Sequence, residues 1–142
     1  MAHWLDTRRA PFVTLTFPAA YTYEELDAEF AHLEAYYRDV AANTTGPVAL
    51  LVDVTAVVSS FARNRRRIAH SLQTVAPLLT GRAVGQAYVA PDPIARASLT
   101  VILWLRQSPW PVKLFATRPE ADAWLAERFA EAGHPLSDDG AT

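Results

Sequence analysis

The chain has 142 residues, of which 51% are hydrophobic and 20% charged, a composition typical of one folded domain with its own core. The formal net charge of −2 provides no positive field, so no nucleic-acid partner is expected, and the lack of cysteine excludes disulfides and thiolate metal sites. The first residues lack the order of a signal peptide, and no apolar run reaches the roughly 18 residues of a membrane-spanning helix. We therefore expect a cytoplasmic protein without a membrane span.

The first part of the sequence predicts a β-hairpin followed by a capped helix. Residues 2–6 are a short strand candidate, and residues 12–17 alternate with a period of two, which is typical of a strand. Thr22 and Glu25 have the spacing of a capping box. The helix after it carries an apolar stripe at 4-3 spacing, made of Leu26, Phe30, Leu33, Tyr37 and Val40.

The middle of the sequence predicts a buried strand and a basic helix. Residues 48–54 form an apolar run broken only by Asp53, as expected of a central parallel strand covered on both faces. The next helix is expected from about Ser60 to Leu79. Its apolar arc contains Phe61, Ile68, Leu72, Val75 and Leu79, and its opposite side contains Arg63, Arg66, Arg67, His70 and Thr74.

Residues 83–90 predict the next strand, and Asp92 with Pro93 predicts the start of a third helix that ends near Arg106. This helix is apolar almost all round. We expect its core side to contain Ile94, Ser98, Val101 and Leu105, which leaves Leu99, Leu103 and Trp104 on another face.

Residues 112–116 predict the last strand. Thr117 and Glu120 have the spacing of a second capping box, and the final helix is expected to bury Ala121, Leu125, Phe129 and Ala132. Residues 1–133 are predicted to form a single domain, and residues 134–142 a polar, flexible tail.

The predicted order is β-β-α-β-α-β-α-β-α, which indicates an α/β fold with a mixed, mainly parallel sheet covered by helices. Three segments, at residues 50–57, 83–90 and 112–125, make the chain resemble the STAS domain, in particular the SpoIIAA-like, or STAS/SEC14-like, stand-alone bacterial proteins. The resemblance covers nearly the whole chain. It implies a regulatory module like the anti-sigma-factor antagonists.

In that family, a serine in an Asp-Ser-Ser-Gly motif at the start of the second helix is phosphorylated by a partner kinase. The matching stretch here is Val58-Ser59-Ser60-Phe61, which keeps both serines and lacks the Asp and the Gly. The resemblance therefore makes Ser59 and Ser60 the phosphorylation candidates.

The basic residues that follow are candidates for an anion-binding or partner-binding surface. Arg63, Arg66 and Arg67 lie near a helix N-terminus, where free N–H groups favour an anion. In the alternative interpretation, one serine is the N-cap and the arginines form a solvated face.

Asp53 ends an apolar strand, and we expect it to be a structural carboxylate that accepts hydrogen bonds from the following loop, with a general base or ligand residue as the alternative.

The four histidines lack metal-binding spacing, and no cofactor motif or catalytic constellation is present, so no metal, cofactor or catalytic residue is predicted.

The third helix is the best candidate for an interface, through Leu99, Leu103 and Trp104 with Trp110 beyond it. Burial of these side chains and a small apolar ligand beneath the helix are the alternatives.

We interpret the protein as a non-enzymatic regulatory or scaffolding module that binds a protein partner, with a homodimer as one form. The alternative function is a binding domain for a small anionic or amphipathic ligand.

Overall fold

The elements follow the order β-β-α-β-α-β-α-β-α in a computed structural model that describes residues 3–57, 64–105 and 109–133. The strands are β1 (Leu5–Asp6), β2 (Phe12–Thr16), β3 (Val48–Asp53), β4 (Ala83–Val89) and β5 (Val112–Phe115). The helices are α1 (Tyr23–Asn43), α2 (Arg65–Leu79), α3 (Pro93–Leu105) and α4 (Arg118–Glu131). The predicted α/β class is confirmed.

The five strands form one mixed sheet in the order β1-β2-β3-β4-β5. β1 is antiparallel to β2, as the predicted hairpin requires, and the other neighbours are parallel. Since right-handed crossovers between successive neighbours all turn the same way, α1, α2 and α3 lie on one face of the sheet. α4 covers the other face, so the molecule has three layers with β3 at the centre.

Each face of the sheet has its own apolar core. Side chains from alternate strand positions, such as Leu15, Val52 and Tyr88, pack with α1, α2 and α3. The intervening positions, such as Leu51 and Val89, pack against α4. This alternation follows from the period of two in a strand, and it confirms that β3 is covered on both faces.

The helix starts agree with the sequence in part. Thr22 and Glu25 form the predicted capping box of α1, because Thr22 Oγ1 accepts from the Glu25 N–H and Glu25 Oε1 accepts from the Thr22 N–H. The prediction of a second capping box, at Thr117 and Glu120, is wrong. The Thr117 hydroxyl donates to Glu120 Oε1 at 2.7 Å and makes no hydrogen bond with the backbone of α4.

α4 packs closely on β4 because Gly85 has no side chain. A Cβ atom at this position would lie 3.2 Å from atoms of both Trp124 and Leu125. Three of the predicted buried residues, Ala121, Leu125 and Phe129, face the sheet, whereas the fourth, Ala132, follows the last residue of α4 and is exposed. The predicted tail, residues 134–142, lies outside the described residues.

Candidate functional site

Asp53 lies at the carboxyl end of β3, the edge where ligands meet the sheet in open α/β folds. Its Oδ1 accepts a hydrogen bond from the Thr55 N–H at 2.9 Å, and its Oδ2 lies 3.6 Å from Arg118 Nη1 at the start of α4. The carboxylate therefore holds the turn after β3 and pairs with the helix on the opposite layer. This geometry is that of a structural carboxylate at a strand end.

The phosphorylation candidates Ser59 and Ser60, together with Arg63, lie outside the described residues. The chain on either side of them is described. Val57 donates its N–H to the Val54 carbonyl just after β3, and Asn64 directly precedes α2. Phosphorylation of Ser59 or Ser60 stays a prediction.

The two described arginines of the predicted basic face have different environments. Arg66 is exposed. Arg67 is turned toward α1, where its Nε lies 2.6 Å from Asp27 Oδ1 and its Nη1 lies 3.0 Å from Glu34 Oε2. Burial acts to lower the pKa of Arg67, and the hydrogen bonds with both carboxylates outweigh it and raise that pKa. Neither the anion-binding interpretation nor the alternative of a solvated face fits Arg67, because its side chain is only 9% exposed and its charge is already compensated by α1.

The predicted orientation of α3 is also wrong where the structure describes it. Ile94 is 71% exposed and Val101 39% exposed, whereas Leu99 is only 2% exposed and belongs to the core. Leu99 is therefore not available as an interface residue. The side chains of Leu103 and Trp104 lie outside the described part of the chain, so their role stays a prediction.

Trp110, the fourth predicted interface residue, is partly buried and belongs to a polar group inside the core. Its Nε1–H donates to Gln86 Oε1 at 3.0 Å, and the Gln86 amide donates to the Tyr88 hydroxyl, also at 3.0 Å. Gln86 and Tyr88 are each 3% exposed. Burial raises the pKa of Tyr88, so the phenol remains protonated. Sequence analysis missed this group, although a glutamine on the buried side of a strand is an available signal.

Two small cavities lie between this polar group and α2. Each has a volume of about 30 Å³. They adjoin each other, since both are lined by Ser71 of α2 and by Gln86 of β4, and also by Leu33, Leu50 and Leu72. The rest of the lining is almost entirely apolar. Such a cavity holds one or two waters, and it is far smaller than the roughly 300–1,000 Å³ of drug-sized ligand sites.

A larger, open groove of about 760 Å³ lies between β1 and the first turns of α1. Four carboxylates line it, and three of them, those of Asp6, Glu25 and Glu29, have partners inside the chain. Glu29 accepts from the Trp4 N–H at 2.7 Å and pairs with His3, and Asp6 pairs with Arg8. The groove is therefore a by-product of the contacts that fix the first residues to α1.

Among the described residues there is no group of side chains that could hold a metal ion, and no helix there has the length and apolar character needed to cross a bilayer. Comparison of the chain with protein-family models, with curated proteins and with solved structures found no match.

Proposed function

We propose that the protein is a non-enzymatic regulatory or scaffolding module of the STAS-like kind, which acts by protein contact through α3. The observation that carries the proposal is the exposed apolar side of this helix. Ile94 and Val101 are seven residues apart and so lie on one helix face, with exposed Ala97 between them. Large exposed aliphatic side chains in a row are typical of a contact surface.

The position of α3 in the fold supports the same proposal. α3 follows β4 and α2 follows β3, and these strands are parallel neighbours, so both helices begin at the carboxyl edge of the sheet. Ile94 in the first turn of α3 and Arg66 in the first turn of α2 therefore share one end of the molecule. A partner on α3 would thus lie near the start of α2, the helix whose beginning carries the phosphorylated serine in the STAS resemblance.

The test is partner binding by a double variant, Ile94→Glu with Val101→Glu. Light scattering after size exclusion detects a homodimer, and pull-down from a bacterial lysate detects another protein. Tyr23→Glu is the control, because Tyr23 is a large side chain that is 52% exposed and belongs to α1 instead of α3. We expect the wild type and Tyr23→Glu to bind, and the double variant to be monomeric and unbound. Equal behaviour of all three proteins would reject the α3 surface.

A second candidate function is the binding of a small ligand inside the core. It is favoured by the two cavities and by the buried hydroxyl of Ser71 that faces them. The volumes argue against a long amphipathic chain in this arrangement of the helices. Titration with candidate small molecules, followed by thermal unfolding, tests this function because a ligand that binds only the folded state raises the melting temperature.

A further inference from the structure

The Ser71 hydroxyl behaves differently from three threonine hydroxyls in or next to α2 and α3. Thr74, Thr80 and Thr100 each donate to the carbonyl four residues earlier, at 3.0, 2.8 and 2.8 Å. Ser71 is only 3% exposed, and its Oγ has no hydrogen-bond partner. A serine in a helix normally has the same backbone acceptor within reach, but this hydroxyl does not use it, and Ser71 lines both cavities.

The opposite wall of the cavities supplies further donors. Trp110 Nε1–H can only donate, so it fixes the carbonyl oxygen of Gln86 toward itself and the amide nitrogen away from it. One amide N–H then bonds the Tyr88 hydroxyl, which leaves the second amide N–H and the Tyr88 hydroxyl proton for another acceptor. Ser71, Gln86 and Tyr88 all line one of the cavities, so its polar groups are mainly donors.

The charge and volume of this space limit what it can bind. Its lining contains no ionisable side chain other than Tyr88 and, in the neighbouring cavity, Tyr37, so the charge of a carboxylate or phosphate would be uncompensated. At about 30 Å³ each, the two cavities together have room for roughly four atoms of the size of a water oxygen. The occupant is therefore small and uncharged.

We propose that Ser71, Gln86 and Tyr88 form a buried binding site for a small neutral molecule that presents a hydrogen-bond-accepting oxygen. Water, a short alcohol and a short ketone share this chemistry. The proposal rests on the second of the two candidate functions and replaces its anionic or amphipathic ligand with a neutral one. It is independent of partner binding by α3.

The first experiment compares the melting temperature of Ser71→Ala with that of Thr74→Ala, the matched change in the same helix. Alanine favours a helix more than serine does, and it removes a buried hydroxyl, so an unoccupied site predicts a higher melting temperature for Ser71→Ala. An occupied site predicts the reverse, because the bound oxygen loses a donor. We expect Ser71→Ala to melt at a lower temperature than both the wild type and Thr74→Ala. An unchanged or raised value overturns the proposal.

The second experiment identifies the source of the oxygen. Acetone and ethanol are titrated while the methyl NMR signals of Leu33, Leu50 and Leu72 are followed. Saturable shifts that need roughly three- to tenfold more ketone or alcohol in Ser71→Ala identify an organic ligand. If the shifts are absent, ordered water within hydrogen-bond distance of Ser71 Oγ in a high-resolution crystal structure identifies water. If neither NMR shifts nor ordered water density is observed, the proposal is overturned. The contact surface on α3 is tested separately, by the binding experiment with the Ile94 and Val101 variant.

Discussion

Arg67 connects α1 to α2 through three contacts. Its guanidinium bonds Asp27 and Glu34, and it lies over the Phe30 ring at 5.6 Å from the ring centre. The side chains of Arg67 and Glu34 are only 9% and 10% exposed. Glu34 would thus be left as a buried carboxylate without its cationic partner if Arg67 were removed.

We expect Arg67→Met to lower the free energy of unfolding by about 3 kcal/mol, because loss of one partner leaves a buried charge uncompensated. Urea denaturation followed by circular dichroism measures this change. Arg66→Met is the control, since Arg66 is exposed in the same turn and its replacement should change the stability by less than about 0.5 kcal/mol. Equal losses in the two variants would contradict the assigned contact.

Asp6 is the residue for which a titration is most informative. The Arg8 guanidinium and the Arg8 backbone N–H both bond its carboxylate, and together they lower the pKa of Asp6 to about 2. Since this value is below that of an unfolded chain, the pair stabilises the folded state above about pH 4 and loses this effect as the pH falls toward 2. Both side chains are largely exposed, so the contribution to stability is small.

We expect the Asp6 carboxyl carbon to titrate by NMR with a midpoint near pH 2 in the wild type and closer to its ordinary value in Arg8→Ala. Arg38→Ala, on the exposed side of α1, is the control and should leave the midpoint unchanged. A wild-type midpoint near 4 would contradict the hydrogen-bonded pair.

For single residues, the sequence was sufficient to predict those contacts whose two partners lie close together along the chain. The capping box of Thr22 and Glu25 joins residues three apart, and the Asp53–Thr55 contact joins residues two apart, so the local pattern contains both partners. Arg67 and its partners in α1 are separated by 33 and 40 residues. A pattern on α2 alone therefore could not show that Arg67 is neutralised.

Among the elements, α3 is where the observed burial departs most from the expected one. Leu99 fits into the core formed by α1, α2 and the sheet, while Ile94 points to solvent. The two residues offer a direct comparison of burial within one helix.

We expect Leu99→Ala to lower the free energy of unfolding by about 2–5 kcal/mol, because it deletes buried methyl groups and leaves a cavity. Ile94→Ala removes a similar volume from an exposed position and should change the stability by less than about 0.5 kcal/mol. Thermal or urea unfolding of the monomeric protein measures both. A greater loss for Ile94→Ala would restore the orientation expected from the sequence.

The sequence could not orient α3 because apolar residues surround this helix on all sides. α1 and α4 have clear polar and apolar sides, and their buried residues agree with the prediction except for Ala132, which follows α4 and is exposed. In α3 several faces satisfy the apolar criterion equally, so the surface of the neighbouring layers decides which one is buried. Ser71 was missed for a related reason, since a small hydroxyl beside Leu72 does not disturb the apolar arc of α2.

For the whole molecule, the alternation of strands and helices was sufficient to predict the α/β class. The continuous apolar run at residues 48–54 indicated a strand buried on both faces, and β3 is the central strand. The position of α4 on the opposite face from the other helices depends on contacts such as that of Gly85 with Trp124, which join distant parts of the chain. The arrangement of layers therefore needed the structure.

One face of the sheet is covered by α4 alone, and this has a consequence while the chain is being synthesised. Every strand emerges from the ribosome before α4, so Ala49, Leu51, Ala87 and Val89 remain uncovered until residues 118–131 have been translated. A nascent chain that has reached β5 thus presents an apolar, strand-forming surface of the kind that chaperones recognise and that aggregates when crowded. The rate at which the last helix is translated and docks then sets how long each newly made copy is exposed to that risk.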